Sequence, residues 1–433
     1  MTPSDAFDVR VVRPAQTGAG GPAVMAPDRT THTVLPFHKH CTRLRQSPWS
    51  FSQWRVNGAQ PCISIVVSVA DSTRARAPGM LGTMRYSVTA VVVSYNREDL
   101  LAECLAGIDR QTRQPDRLII IDNASTDGAL TVARRFAART AIDTRVVALP
   151  RNMGGAGGFT TGIALAVEPL MQPRAPHEAG PGYRMGGYEP QPGLMHEVWL
   201  MDDDTVPLPN ALDELLRASD ACIAQNGRVP VALGSKAVWT DGREHLMNKP
   251  RPRAHPAKGS AKLRGFPSAY QTRSLSFVSC LLNADTVAAM RRLPKAAYFL
   301  WNDDYEYTTA LLKRHIGYYV PASEVVHKTK VFGSSDADPG ARFYNEVRNK
   351  IWLWRESRGN FTRTERVLFL LKTVRRWGLT WLRSPDRTVI ADCLRRGWHD
   401  GWHTTPEPNT RIDFGDDSVN RAVRACEGTP ADD

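Results

Sequence analysis

Three consecutive carboxylates follow a short apolar run near the middle of the chain. Asp202, Asp203 and Asp204 come directly after residues 198–201, Val-Trp-Leu-Met. Side chains alternate along an extended chain, so we expect Asp202 and Asp204 to face one way and Asp203 the other. Two like charges at that spacing repel each other unless a cation lies between them, and a hard divalent ion bound there keeps positions open for phosphate oxygens. The alternative is a solvated acidic turn.

A second acidic pair, Asp303 and Asp304, follows Trp301 and Asn302. A carboxyl group flanked by aromatic rings and another carboxylate is expected to have a raised pKa, as a general base acting on a sugar hydroxyl requires. His327 comes after a strand-like stretch, residues 317–326. A single histidine in that position is more often an ordinary core or surface residue than a ligand.

Two further features indicate contacts with a nucleotide. Asp122 ends an apolar run and can accept the imide N–H of a uracil or thymine ring, or form an Asx turn that caps the next helix. The glycine cluster at 154–158 lets backbone approach a ligand closely, and a helix beginning just beyond it offers free N–H groups. The cluster is not a dinucleotide fingerprint, because Thr160 stands where the third glycine is required.

These residues need a scaffold, and from Tyr86 the sequence alternates between strand and helix patterns. This alternation predicts an open α/β sheet with parallel strands, whose carboxyl ends form the ligand-binding edge. We expect poor order over 1–85 and an inserted surface loop over the Pro/Gly-rich stretch 168–194. The predicted strands are 88–94, 117–122, 145–149, 198–201 and 317–326, and the predicted helices are 99–110, 127–138 and 159–167.

The positive charge and the cysteine content indicate which partners and which cellular compartment to expect. The 433 residues carry a formal charge of +12, and the segment 341–400 holds fourteen Lys or Arg against six Asp or Glu. Apolar residues recur at helical spacing over 367–381, which predicts a basic amphipathic helix that either lies in a membrane interface or packs on the domain with solvated arginines. A nucleic-acid partner is not expected, since no binding motif accompanies the charge. The seven cysteines show no CxxC pair, which fits a reducing cytoplasm.

Together these motifs resemble glycosyltransferase family 2 with a GT-A fold, over roughly residues 86–354. The chain is most similar to bacterial galactofuranosyltransferases that build cell-wall galactan on a polyprenyl-diphosphate acceptor. The resemblance implies a catalytic domain over 86–335. The composition of the residues that follow predicts a basic Trp-rich helical region over 336–403 and an acidic tail over 404–433. The motifs that carry the resemblance are VVVSYNR, IIDNASTD, RNMGGAGGF, WLMDDD, FLWNDDYEY and a downstream histidine.

Carried over residue by residue, the resemblance implies three groups of site residues. The metal ligands for Mn²⁺ or Mg²⁺ are Asp202, Asp204 and His327. The catalytic base is Asp304, paired with Asp303. The residues that contact or line the nucleotide-sugar site are Arg97, Asp122, Asn152, Gly154, Gly155 and Asp203.

The implied donor is a UDP-sugar, with UDP-galactofuranose favoured and dTDP-rhamnose or another hexosyl donor as the alternative. The implied acceptor is a glycan or polyprenyl-diphosphate-linked glycan at the anionic inner face of the cell membrane. Two other hypotheses compete with transfer. A nucleotidyltransferase needs a glycine-rich first strand end, where this chain has Ser-Tyr-Asn-Arg at 94–97. A non-catalytic scaffold would bind lipid or nucleic acid independently of metal and nucleotide.

Overall fold

The computed structural model describes residues 84–171, 193–332 and 338–428. The poor order expected over 1–85 and the inserted loop expected over 168–194 therefore fall almost entirely outside the described residues. The cysteines among the described residues are all free and buried.

The described residues contain a ten-stranded mixed sheet, in the order β3-β2-β1-β4-β9-β6-β10-β8-β7, with β5 paired to β10. The first four strands of that order are all parallel. β9 runs antiparallel between β4 and β6, and β10 is parallel to β6. The strands are β1 (Arg85–Ser94), β2 (Arg117–Asp122), β3 (Asp143–Ala148), β4 (Leu194–Asp202), β5 (Thr205–Pro207), β6 (Ala232–Val238), β7 (Lys262–Leu263), β8 (Phe266–Gln271), β9 (Cys280–Asn283) and β10 (Gly317–His327).

Helices cover both faces of this sheet, which is why the central strands are nearly continuous apolar runs. This confirms the predicted α/β class with helices following at the C-terminal end. The helices are α1 (Glu98–Asp109), α2 (Ala129–Ala137), α3 (Gly154–Val167), α4 (Ala211–Asn226), α5 (Ala284–Met290), α6 (Asp303–Arg314), α7 (Phe343–Glu356), α8 (Arg363–Arg383), α9 (Arg387–His403) and α10 (Asp417–Glu427).

The glycine cluster lies inside α3 rather than ahead of it. A Cβ on Gly158 would lie 2.4 Å from Val93 Cγ1, and one on Gly162 would lie 2.2 Å from Val91 Cγ1. These two glycines therefore let α3 pack directly against β1. The expectation that the helix begins only beyond the cluster was wrong, because close helix–sheet packing as well as ligand approach selects glycine.

The acidic run also differs from the expectation. β4 ends at Asp202, and Asp203 and Asp204 lie in the turn that leads to β5. Period-two alternation holds only while the chain is extended, so it does not separate Asp203 from Asp204.

The C-terminal region is helical and contributes to the core. α10, within the segment predicted as an acidic tail, buries Val419, Ala422, Val423 and Cys426 in the same cluster as α3. The predicted amphipathic helix is present as α8, capped by a reciprocal pair between Thr362 and Glu365. Most of its apolar residues are exposed, but Trp377 is buried and Phe369 stacks on Tyr305 and Phe361. The helix therefore packs on the domain through one side and leaves its other apolar residues exposed.

Candidate active site

The predicted site residues meet at one edge of the sheet because parallel strands end together there. Ser94 at the end of β1 is paired with Asp122, and Val93 is paired with Asp202. His327, the last residue of β10, is paired with Thr205 beyond the acidic turn. The fold thus brings together residues that are about 200 positions apart in sequence.

Arg97 links the two acids of the turn. Its Nη1 lies 3.0 Å from Asp203 Oδ1 and 2.5 Å from Asp204 Oδ2. Asp203 also accepts a hydrogen bond from the Tyr95 backbone N–H at 3.0 Å. Both carboxylates therefore face the same guanidinium, and the expectation that Asp203 faces away from Asp204 was wrong. The reason is the turn geometry described above.

The other oxygen of Asp204 faces His327. Asp204 Oδ1 lies 3.2 Å from His327 Nε2, and both side chains are about 6% exposed. His327 Nδ1 is 2.9 Å from Asn248 Oδ1, whose amide nitrogen donates to Ser276. This network gives Nδ1 the proton in the neutral imidazole. The lone pair of Nε2 then points at a carboxylate oxygen.

Two acceptors facing each other call for a cation between them. Asp204 Oδ1 is buried and has no hydrogen-bond partner. Two neighbouring ligands of one ion with bonds of about 2.1 Å lie about 3 Å apart, close to the observed spacing. Asp204 and His327 therefore fit a divalent cation. Burial raises the pKa of Asp204, but neighbouring groups, Arg97 among them, hold it below its usual value, so the group is a carboxylate.

Asp202 does not complete a three-residue cluster. Within the described ranges, no group of three or more His, Cys, Asp or Glu side chains is arranged to hold one metal ion. Burial, followed by the charges of Asp204 and Asp203, raises the pKa of Asp202 well above its usual range. Asp202 is thus next to the Asp204–His327 pair without sharing a common centre with it.

The second acidic pair begins α6 and follows a strained loop. Phe299, Trp301 and Asn302 have positive φ values of 63°, 67° and 67°, which are outliers for bulky side chains. The buried Asn349 of α7 holds this loop, since its Nδ2 lies 2.8–2.9 Å from the carbonyl oxygens of 298, 300 and 301. α7 thus fixes the approach to the acidic pair.

Burial changes the acidity of this pair. It raises the pKa of Asp303 to about 8, with the charge of Asp304 adding to the effect. It raises the pKa of Asp304 to about 6, while the backbone N–H of Tyr305 opposes the shift by donating to Oδ1 at 2.6 Å. Asp304 is also the more accessible of the two. The charge of Asp303 adds, as the smallest of the causes named, to the raised pKa of Asp202, so the two acidic groups interact electrostatically.

The other residues predicted to contact the nucleotide lie at the end of β2 and at the start of α3. Asp122 Oδ2 accepts from the Ser125 N–H, three residues on, at 3.2 Å, so it holds the loop after β2 and does not cap α2. Its Oδ1 is buried and has no hydrogen-bond partner among the described residues. Asn123 donates to Asn152 Oδ1 and the Gly154 carbonyl, both at 3.0 Å, and so shapes the turn into α3.

The amino end of α3 is less available than expected. Gly154 N donates to Asn152 Oδ1 at 2.8 Å, and Ala156 N donates to Phe299 O at 3.1 Å. The protein itself therefore occupies two of the first three amide groups, and the expectation of free N–H groups was wrong for these. A Cβ on Gly155 would meet nothing within 4 Å, so Gly155 faces open space.

Sequence reasoning missed three buried or partly buried amides that organise this site: Asn123, Asn248 and Asn349. Asn123 directly follows Asp122 in the motif IIDNASTD, so the sequence could have identified it as a site residue. Asn248 and Asn349 act through contacts with residues 79 and about 50 positions away, and nothing in their local sequence distinguishes them from other asparagines.

Residues 89–171 match the family model of "Glycosyl transferase family 2". The matched residues include Arg97, Asp122, Asn152, Gly154 and Gly155, whereas the acidic turn, the second acidic pair and His327 lie outside the match.

Curated relatives are similar over the same short length. The chain is 42% identical over 84 residues to galactofuranosyltransferase GlfT1 of Mycobacterium tuberculosis, which is 19% of this chain and 27% of that protein. It is 36% identical over 80 residues to GlfT1 of Mycolicibacterium smegmatis, which is 18% of this chain and 25% of the relative. The chain thus spans about a quarter of the length of the relatives it matches.

Two solved structures have a weakly similar fold. The mannosyltransferase PcManGT from Pyrobaculum calidifontis, in complex with GDP-Man and Mn²⁺, is 15% identical with a TM-score of 0.41, covering 79% of this chain and 86% of that one. S. aureus TarS 1-349 in complex with UDP is 14% identical with a TM-score of 0.38, covering 79% and 91%.

Proposed function

We propose that this protein is an inverting, metal-dependent glycosyltransferase that moves a sugar from a nucleotide-sugar donor to a glycan hydroxyl. One observation carries the proposal. At a single sheet edge, two facing acceptor atoms on Asp204 and His327 fit a cation, and a separate acidic pair with raised pKa values lies beside them. The match of residues 89–171 to the glycosyl transferase family 2 model supports the same reaction class.

Each residue has a role in this proposal. Asp204 and His327 would hold a divalent cation, with Asp203 contributing negative charge and Asp202 lying beside it. When bound, such a cation supplies positive charge against the diphosphate leaving group. Asp122 Oδ1 would accept the N–H of the base, and Arg97 would donate to the donor's phosphates. Asn152, Gly154 and Gly155 would line the donor pocket.

Asp304 would act as the general base. Its carboxylate takes the proton of the acceptor hydroxyl, and the hydroxyl oxygen forms a bond to the anomeric carbon as the bond from that carbon to the diphosphate oxygen breaks. Attack from the face opposite the leaving group inverts the anomeric configuration. Asp303, with the higher pKa, stays protonated near neutral pH and so adds no second negative charge beside the base.

The donor is proposed as UDP-galactofuranose, because the curated relatives are named galactofuranosyltransferases. dTDP-rhamnose is the alternative within the same reaction. The acceptor is proposed as a polyprenyl-diphosphate-linked or cell-wall glycan reached from the cytoplasmic face of the membrane. A panel of nucleotide sugars, with released nucleotide as the readout, distinguishes the donors.

The test of the catalytic role is Asp304→Asn in the full chain. We expect loss of sugar transfer, with UDP binding unchanged in calorimetry and dependent on added Mn²⁺ or Mg²⁺. The matched control is Asp417→Asn, the same chemical change at an exposed position of α10, which should transfer sugar at the normal rate. Turnover retained by Asp304→Asn would refute the base assignment, and UDP binding that ignores metal would refute the cation site.

A further inference from the structure

The outer face of α8 exposes more apolar surface than any other part of the described chain. Seven large apolar side chains of this one helix have exposed fractions between 39% and 61%. Only Thr373 and Trp377 of α8 are buried. The exposed residues are Val367, Leu368, Leu370, Leu371, Val374, Trp381 and Leu382.

These side chains form one continuous stripe. At 100° per residue, the positions 367, 370, 371, 374, 381 and 382 fall within about a third of the helix circumference. Phe369, which faces the protein, lies on the opposite side of the helix, and the buried Trp377 lies next to one edge of the stripe. Basic residues lie along its margins, and α8 carries six Lys or Arg against one Glu. The helix therefore presents apolar and positively charged surface together.

The inner face of α8 is firmly attached. Phe369 stacks on Tyr305 and Phe361, with ring centroids 6.1 and 5.9 Å apart and interplanar angles of 12° and 22°. The capping pair of Thr362 and Glu365 fixes the first turn. The apolar stripe thus faces outward on an anchored helix of 21 residues, about 31 Å long.

We infer that the outer face of α8 docks on an anionic lipid bilayer, with the helix lying in the plane of the interface. An apolar stripe of this width inserts among acyl chains, while the cations at its margins pair with anionic headgroups. Arg387 lies over the Trp381 ring at 5.5 Å from its centroid, which places a cation and an indole together at one end, as at headgroup level. No helix in the described residues is long and apolar enough to cross a membrane.

The stripe could also bind a second copy of this chain, and the charge of α8 argues against that partner. A symmetric dimer through this stripe would bring the same surface together twice. Each α8 carries a net charge of +5 from its own residues, so like charges would meet along both margins. A bilayer rich in anionic lipid offers the opposite charge and an apolar interior.

Docking here would bring the active site to the lipid surface. Tyr305, which stacks on Phe369 of α8, directly follows Asp304 in sequence. This consequence, unlike the docking itself, rests on the proposed function. Docking of α8 would bring Asp304, the proposed base, close to an acceptor sugar that a lipid holds at the membrane.

The test is flotation of the full chain with vesicles. We expect binding to vesicles of phosphatidylglycerol and phosphatidylcholine, and little binding to phosphatidylcholine alone or at high salt. Leu370→Ser with Leu371→Ser and Val374→Ser should weaken binding at least about tenfold. Lys372→Glu with Arg375→Glu should weaken it more than about tenfold, since each cation near the surface contributes about fivefold.

Matched controls make the same changes elsewhere. Leu246→Ser alters another exposed leucine, and Arg134→Glu with Arg135→Glu alters two exposed cations of α2. Both should bind vesicles normally. Circular dichroism and metal-dependent UDP binding check that the α8 variants are folded, and a failure of UDP binding in wild type would count against the proposed function alone. Equal vesicle binding by the serine variant, or a wild-type dimer that this variant dissociates, would overturn the inference.

Discussion

The acidic sheet edge and the outer face of α8 depart from normal burial in opposite directions. At the edge, ionisable groups such as Asp203, Asp204 and His327 are nearly excluded from water. On α8, large apolar groups face outward. Burying charge and exposing apolar surface both cost free energy. The two regions are therefore the parts of the described molecule where folding alone explains the residues least well.

The two departures differ in how they are held. At the edge, several hydrogen bonds fix the position of each group. Arg97 holds the acids of the turn and Asn248 holds His327. Asn123 and Asn349 hold the neighbouring loops. The side chains of the stripe on α8 are exposed, so replacing them should leave the packing beneath the helix unchanged. The comparison predicts that changes at the edge affect both fold and chemistry, whereas changes on the stripe affect only what the protein binds.

The largest effect on stability is expected at Gly154, where α3 meets the loop before the acidic pair. Gly154 has φ = 68°, and a Cβ there would lie 1.9 Å from Phe299 O. Gly154→Ala should therefore lower the free energy of unfolding by about 3 kcal/mol or more. Urea unfolding measures the change.

The neighbouring glycine is the control for this prediction. Gly155 lies in α3, and a Cβ there meets nothing within 4 Å. Gly155→Ala should leave stability unchanged or raise it by up to about 1 kcal/mol, while raising KM for the donor if Gly155 lines the pocket as proposed. Equal stability losses in the two variants would show that the edge is less tightly determined than its contacts indicate.

An intermediate effect is expected from pH, and it has opposite signs for activity and stability. Asp304 must be ionised to take a proton, so the transfer rate should fall about tenfold per pH unit below its pKa of about 6. Asp303 and Asp304 have folded pKa values raised above about 4, the unfolded value. The folded state then binds more protons, and stability should decrease as pH rises from about 4 to about 8.

Asp303→Asn tests the stability half of this prediction. It removes a carboxyl group that must either stay protonated or ionise while buried. The decrease in unfolding free energy between pH 5 and pH 8 should be smaller in this variant than in wild type, by about 1 kcal/mol or more. An identical decrease in the two proteins would mean that Asp303 is not the group responsible.

The sequence supported the scaffold better than the details of the edge. The runs ending at Ser94 and Asp122 are β-branched and bounded by polar residues, so their strands and the edge they form were predictable. The end of β4 was not, because an apolar run shows that a chain is extended but not where it turns. Asp203 and Asp204 were therefore assigned opposite directions, although Arg97 holds them together.

α8 shows the same limit on a helix. Its period was readable, and the helix is present, but apolar residues occupy both its inner and outer faces. Phe369 and Trp377 face the protein while Leu371 and Val374 face outward. Hydrophobicity alone does not distinguish these two sets, and only the partners Tyr305 and Phe361, brought near by folding, determine which face packs.

The smallest effect is therefore expected where an apolar residue is removed from the stripe. Leu371→Ser should change the free energy of unfolding by no more than about 0.5 kcal/mol, because a 61% exposed side chain contributes little burial. Leu353→Ala on the adjacent α7, where the side chain is fully buried, should cost about 2–5 kcal/mol. Both are measured by urea unfolding without lipid. If Leu371→Ser were as costly as Leu353→Ala, the stripe would be covered by protein in solution, and its exposure could no longer be an argument for a bilayer.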